Sequence, residues 1–173
     1  MTRADRLEAV MREVVEPVRR YLVRRTDATT ADDVLSETLV VLWRRLDDVP
    51  DDAIAWSIGV ARLQLANAER SARRQQRLFA RLVVLDPPGA VDDHANADTS
   101  YIREAIARLR PLDAEVIRLT AWDDLSLEQV ASVLGVTVNA ATIRLHRARK
   151  KLKDELGKND ARDGHNGVKE GER

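Results

Sequence analysis

Leu125-Ser126-Leu127-Glu128-Gln129-Val130-Ala131-Ser132-Val133-Leu134-Gly135-Val136-Thr137 is the stretch that decides the fold, because nearly every residue in it has a separate steric or hydrogen-bonding task. Ser126 and Gln129 stand at the S-x-x-Q spacing of a capping box, in which a hydroxyl and an amide satisfy the free N–H groups of a helix start. Val130 and Leu134 are one turn apart and face inward, while the small Ala131 lets a second helix approach. Gly135 supplies the left-handed residue that a short turn needs after a helix. Thr137 then caps a second helix with an inward stripe of Ala141, Leu145, Ala148 and Leu152. Asn139, Ala140, Thr142, Ile143, Arg144, Arg147, Lys150 and Lys151 are left on its other sides. A basic helix alone is better explained as a solvated face. The capped first helix, small residue, glycine turn and basic second helix together make a helix-turn-helix, whose second helix enters the major groove of DNA by its first turns while its cations meet phosphates.

The rest of the chain agrees with a helical fold. Among 173 residues only 3% are aromatic, β-branched residues are scattered, and Ala, Leu, Arg and Glu dominate, so the chain reads as all-α. A hydrophobic content of 44% is enough to build cores. Lys and Arg number 29 against 29 Asp and Glu, so affinity for nucleic acid has to come from local clustering and not from a net field. The absence of cysteine removes disulfides, thiolate metal sites and cysteine nucleophiles, and points to the cytoplasm. No apolar run approaches the ~20 residues that cross a bilayer, and the N-terminal residues do not read as a signal peptide.

Toward the N-terminus, Leu7, Val10, Met11, Val14, Val15, Val18 and Leu22 have helical spacing, with Pro17 expected to kink or divide the helix. The Thr29-Thr30-Ala31-Asp32-Asp33 segment predicts a second helix capped by hydroxyls and carrying Val34, Leu35, Leu39, Leu42, Trp43 and Leu46. Asp47 to Asp52 reads as a tight acidic loop, followed by a third helix from about Ala53 to Leu82 with Ile54, Ile58, Ala61, Leu65 and Ala68 on one face. The second half of that helix carries Arg70, Arg73, Arg74, Arg77 and Arg81 against Glu69 alone. Trp43, Trp56 and Trp122 each fall in an apolar stripe and are read as core, with Trp56 also a candidate for stacking on a base. Residues 83–100 hold Pro87-Pro88-Gly89 and several Asp without a cation, and form an acidic linker. The expected organisation is therefore two small helical domains, 1–82 and 101–156, joined by that linker and followed by a disordered tail, 157–173. Within the second domain Tyr101 to Leu109 forms one helix, and Pro111 sits in the first turn of the next.

Taken together, the two halves resemble a bacterial sigma factor of the extracytoplasmic-function (ECF) group, over about Val18 to Leu156. The resemblance is carried by Val18-Arg19-Arg20-Tyr21-Leu22, by Ala31 to Leu39, and by Ala55-Trp56-Ser57-Ile58-Gly59-Val60-Ala61-Arg62 leading into the arginine run. Beyond the linker it is carried by Leu112 to Leu119, the helix-turn-helix, and Arg144-Leu145-His146-Arg147-Ala148-Arg149-Lys150-Lys151-Leu152. The resemblance implies a protein that binds core RNA polymerase through the β′ clamp helices and the β flap and directs initiation at promoter DNA. It implies polymerase contact at Asp32, Asp33 and Glu37, and contact with the −10 element at Val49, Pro50, Asp51, Asp52, Ala53, Trp56, Arg62, Arg70, Arg73, Arg74 and Arg77. The −35 element falls to Asn139, Ala140, Thr142, Ile143, Arg144, Arg147 and Lys151, and an anti-sigma factor is implied as a further partner. Where relatives usually begin the recognition helix with Gly-Thr-Val and a basic residue, this chain has Asn139-Ala140-Ala141-Thr142, so its −35 sequence is its own. Leu63 and Asn67 likewise replace an asparagine and an aspartate frequent in the group.

Two other classes compete. A dimeric helix-turn-helix regulator that does not replace a polymerase subunit predicts a palindromic site, but no heptad seam supports self-association. For an enzyme, His94, His146 and His165 are too dispersed for a metal site, no glycine-rich phosphate loop is present, and Asp32-Asp33 lacks a neighbouring base. No cofactor, metal or catalytic residue is expected.

Overall fold

Carboxylates take part in the first three helix starts of the chain. Thr2 and Asp5 form a reciprocal capping box at the head of α1 (Arg3–Val23), with Asp5 Oδ2 accepting from the Thr2 N–H at 2.7 Å and Thr2 Oγ1 accepting from the Asp5 N–H at 3.2 Å. Helix α2 (Ala28–Arg44) is capped by Asp27, not by the expected Thr29 and Thr30 hydroxyls: the Asp27 carboxylate accepts from the Thr30 N–H at 3.0 Å and from its hydroxyl at 2.7 Å. A charged acceptor three residues ahead of Thr30 takes the N–H that a hydroxyl would otherwise satisfy. After a 3₁₀ turn at Leu46–Asp48, Asp52 caps α3 (Ala53–Leu82) by accepting from the Ala55 N–H at 3.1 Å. The remaining helices are α4 (Ala97–Ala107), α5 (Pro111–Ala121), α6 (Leu127–Leu134) and α7 (Val138–Asp163), with no strand among the described residues.

The computed structural model describes residues 2–82 and 97–163, with side chains over 2–77 and 102–157. Most of the expected linker, 83–96, and the end of the expected tail, 164–173, lie outside them. Several boundaries differ from those expected. Helix α4 begins at Ala97, because Asp98, Thr99 and Ser100 suit a helix start as well as a linker, and α7 continues past Leu156 to Asp163. Pro17 does not divide α1, since buried Val14 on one side and Val18, Tyr21 and Leu22 on the other hold both halves in one core.

Two compact units result, one holding α1, α2, α3 and residues 128–136, the other holding α4, α5 and α7. In the first, Val14, Val18 and Leu22 of α1 meet Val34 and Leu42 of α2 and Ile58, Ala61 and Leu65 of α3 in a three-helix core. Residues 128–136 were expected with the second domain. Their inclusion in the first unit follows from buried Val130, Ala131 and Val133, from Gly59, which lies beside the Val133 backbone, and from the Gln129 amide donating to Asp52 Oδ1 at 3.3 Å. In the second unit Ala105, Ile106 and Leu109 pack with Val116, Ile117 and Leu119 of α5 and with Ala141, Leu145 and Ala148 of α7. Arg108, just past the end of α4, lies 3.7 Å from Glu155 in the far half of α7.

Candidate nucleic-acid interface

The turn before α7 has the geometry its residues predict. Gly135 has φ +65, the Gly135 N–H donates to Ser132 O at 3.2 Å and the Val136 N–H to Ala131 O at 3.0 Å, a Schellman ending of α6. Thr137 Oγ1 then accepts from the Ala140 N–H at 3.2 Å and caps α7. Ala141, Leu145 and Ala148 are buried and Leu152 is half-buried, so the face opposite them is presented outward. That face carries exposed Asn139, Thr142, Ile143, Arg147 and Lys151, with Ala140 half-buried at its edge. The Thr142 hydroxyl is spent on its own helix, donating to Val138 O at 2.9 Å. Arg147, Lys150 and Lys151 have no carboxylate partner among the described residues. Arg144 differs: its Nη1 lies 3.5 Å from Asp113 Oδ1 on α5, a contact the sequence reading did not foresee.

In the first unit α3 divides at Leu65, its last buried side chain among the described residues. Beyond it Arg70, Arg73, Arg74 and Arg77 are all exposed. Arg70 bonds the Asn67 side chain and Arg73 pairs with Glu69 at 3.2 Å, whereas Arg74 and Arg77 have no partner among the described residues. Arg62 is half-buried nearer the core. Of the segment expected to capture a base, Val49 and Ala53 are buried, at 5% and 2% exposure, and hold the start of α3 on the core. Pro50, Asp51 and Asp52 are exposed, but the Asp52 carboxylate is committed to capping α3. Trp56 is half-buried, with the Arg45 guanidinium 6.0 Å from its ring centre.

The outer face of α2 holds the three acids Asp32, Asp33 and Glu37, all exposed. The same face continues into Val40 and Trp43, exposed at 44% and 56%. Trp43 is therefore not a core residue, because Val34, Thr38 and Leu42 form the buried stripe of α2 and turn it outward. Trp56 and Trp122 are each only half-buried. Backbone and hydroxyl hydrogen bonds from Thr30 hold the Asp27 carboxyl below the usual carboxylate range, and Thr2 does the same to Asp5. No group of His, Asp and Glu among the described residues is arranged to hold a metal ion, and no described helix is long and apolar enough to cross a membrane.

Comparison with known proteins agrees with this geometry. Residues 99–152 match the family model described as Sigma-70, region 4. An ECF RNA polymerase sigma factor, SigL of Mycobacterium tuberculosis, is 33% identical over 147 residues, covering 80% of this chain and 83% of that protein. RNA polymerase sigma factor CnrH of Cupriavidus metallidurans is 32% identical, covering 72% of each. Among solved structures, the sigma factor RpoE of Bartonella quintana, in complex with the anti-sigma factor NepR, shares the fold at a TM-score of 0.63 and 19% identity, covering 87% of this chain and 96% of that one. CnrH in complex with the cytosolic domain of CnrY gives a TM-score of 0.53 at 27% identity, covering 83% of this chain and 79% of that one.

Proposed function

The chain belongs to the extracytoplasmic-function sigma factors of RNA polymerase, and on that premise we propose how its surfaces divide the work of promoter recognition. It is a transcription initiation factor that acts with core RNA polymerase on promoter DNA. Helix α7 reads the −35 element: Asn139, Ala140, Thr142 and Ile143 lie in its first turns, where a recognition helix meets base edges, and Arg147 and Lys151 anchor it to phosphates. The observation that carries this assignment is the Thr137-capped start of α7, which puts an exposed polar and apolar turn ahead of Arg147, Lys150 and Lys151, cations with no carboxylate partner among the described residues.

Exposed Arg70, Arg73, Arg74 and Arg77, with Arg62, serve the −10 element by neutralising its backbone. Of the loop before α3, Pro50 and Asp51 are the residues free to meet an unstacked base, with Trp56 beside them. Val49, Asp52 and Ala53 serve by fixing the loop. The outer face of α2 grips polymerase at the β′ clamp helices, Asp32, Asp33 and Glu37 supplying charge and Val40 and Trp43 apolar area. The second unit meets the β flap. Two DNA-reading modules on one chain gain affinity for a two-part promoter through effective concentration. The factor works in the cytoplasm, and the bond-making chemistry belongs to polymerase. By analogy with the RpoE–NepR and CnrH–CnrY complexes, a protein inhibitor that covers these faces is a further partner. Run-off transcription on genomic promoter fragments tests the whole: adding the chain to core enzyme should create initiation sites that core enzyme alone lacks, and an unchanged transcript pattern overturns the reading.

A further inference from the structure

Arg144 stands apart from the other cations of α7. Its side chain is only 38% exposed, and the Asp113 carboxylate that faces it, in the first turn of α5, is 16% exposed. Helical spacing puts Arg144 on the flank between the buried stripe of α7 and its outer face, with Arg147 and Lys151 following one and two turns along the same flank. A guanidinium has five donors in a planar fork, so a carboxylate on the Nη1 side leaves Nη2 and Nε free to bond a phosphate oxygen or a base edge. The carboxylate also offsets part of the charge of Arg144. A paired cation releases fewer counterions when it meets DNA than a free one, so it adds geometry with little general affinity.

We propose that Asp113 is a positioning residue for reading the −35 element: it fixes the Arg144 guanidinium at one edge of α7, so that Arg144 sets the register of the helix in the groove instead of sampling neighbouring phosphates. The inference rests on α7 being the −35 reader. Without Asp113, Arg144 becomes an ordinary mobile cation, which binds every sequence better and discriminates among them less.

The test uses polymerase reconstituted with the full-length chain, binding promoters that differ only in the −35 element, over a range of salt. Asp113→Asn keeps the shape of the side chain, and circular dichroism melts confirm folding. Asp113→Asn should narrow the affinity ratio between the best and worst −35 sequences by roughly 5-fold, a coupling of ordinary size for neighbouring charged groups, and steepen the salt dependence by roughly one unit. In an Arg144→Gln background the same change should do neither. An unchanged ratio, or an effect of Asp113→Asn that persists in the Arg144→Gln background, overturns the proposal and makes Asp113 a structural residue of α5. Wild-type chain that fails to discriminate among the −35 variants overturns the −35 assignment of α7 itself, and the proposal with it.

Discussion

Replacing Trp43 by Ala isolates the apolar part of the polymerase contact. A tryptophan buries about 150–250 Å² when fully covered, and 56% of Trp43 is exposed, so roughly 110 Å² is available to a partner. At about 25 cal/mol per Å² this is close to ~3 kcal/mol, on the order of a 100-fold rise in Kd for core polymerase. The value is an upper bound, since Ala keeps its methyl group and a partner rarely covers all of an exposed ring. Titration of labelled chain with core polymerase, followed by fluorescence anisotropy, measures it. Val23→Ala is the control, because Val23 is 47% exposed but lies on α1. A lower melting temperature for Trp43→Ala with unchanged polymerase affinity would refute the reasoning, since Trp43 would then matter only for the packing of α2.

Arg147→Ala should weaken binding to all −35 sequences alike and lower the salt slope by roughly one unit, whereas Asn139→Ala should shift preference among them by about 1–3 kcal/mol, read from salt titrations on a panel of −35 variants. The depressed Asp27 carboxyl stabilises the fold fully above its ordinary value of 3.8, and that contribution is lost as pH falls through the lower folded value. Urea melts over about pH 2 to 5 should therefore show a shallower acid limb in Asp27→Asn than in the parent. Ser57 is fully buried with its Oγ unpaired among the described residues, so Ser57→Ala should raise the urea midpoint by an amount equivalent to about 1 kcal/mol; a lower midpoint would mean that the hydroxyl has a partner.

What was legible in the sequence was what local backbone chemistry decides. Gly135 in the left-handed region, Thr137 as a cap and Pro111 in the first turn of α5 each depend on a few adjacent residues, and each appears as its residue type requires. What was not legible depends on how helices are turned. The apolar positions of α2, from Val34 to Trp43, are too many to face one core; Thr38 takes an inward place by bonding its hydroxyl to Val34 O at 2.7 Å, and Trp43 is turned out. Val49 and Ala53 fall in the loop to which the family resemblance gives base capture, but both are drawn into the core. The pairing of Asp113 with Arg144 joins α5 to α7, a non-local contact that no pattern along either helix reports.

The length of α3 has a thermodynamic consequence. Thirty residues make a rod of about 45 Å, yet no side chain from 66 to 77 is buried, so this stretch has little tertiary cover. Short helices without such cover are marginal in water, and Arg70, Arg73, Arg74 and Arg77 repel one another at i,i+3 and i,i+4. A polyanion laid along the segment removes that repulsion, so winding the helix and binding nucleic acid are linked, and the measured affinity is the contact free energy less the work of winding. Added salt then acts on the two with opposite sign: it screens the arginines and raises the helicity of the free chain, while it weakens the complex. Ellipticity and affinity should run in opposite directions along a single salt titration.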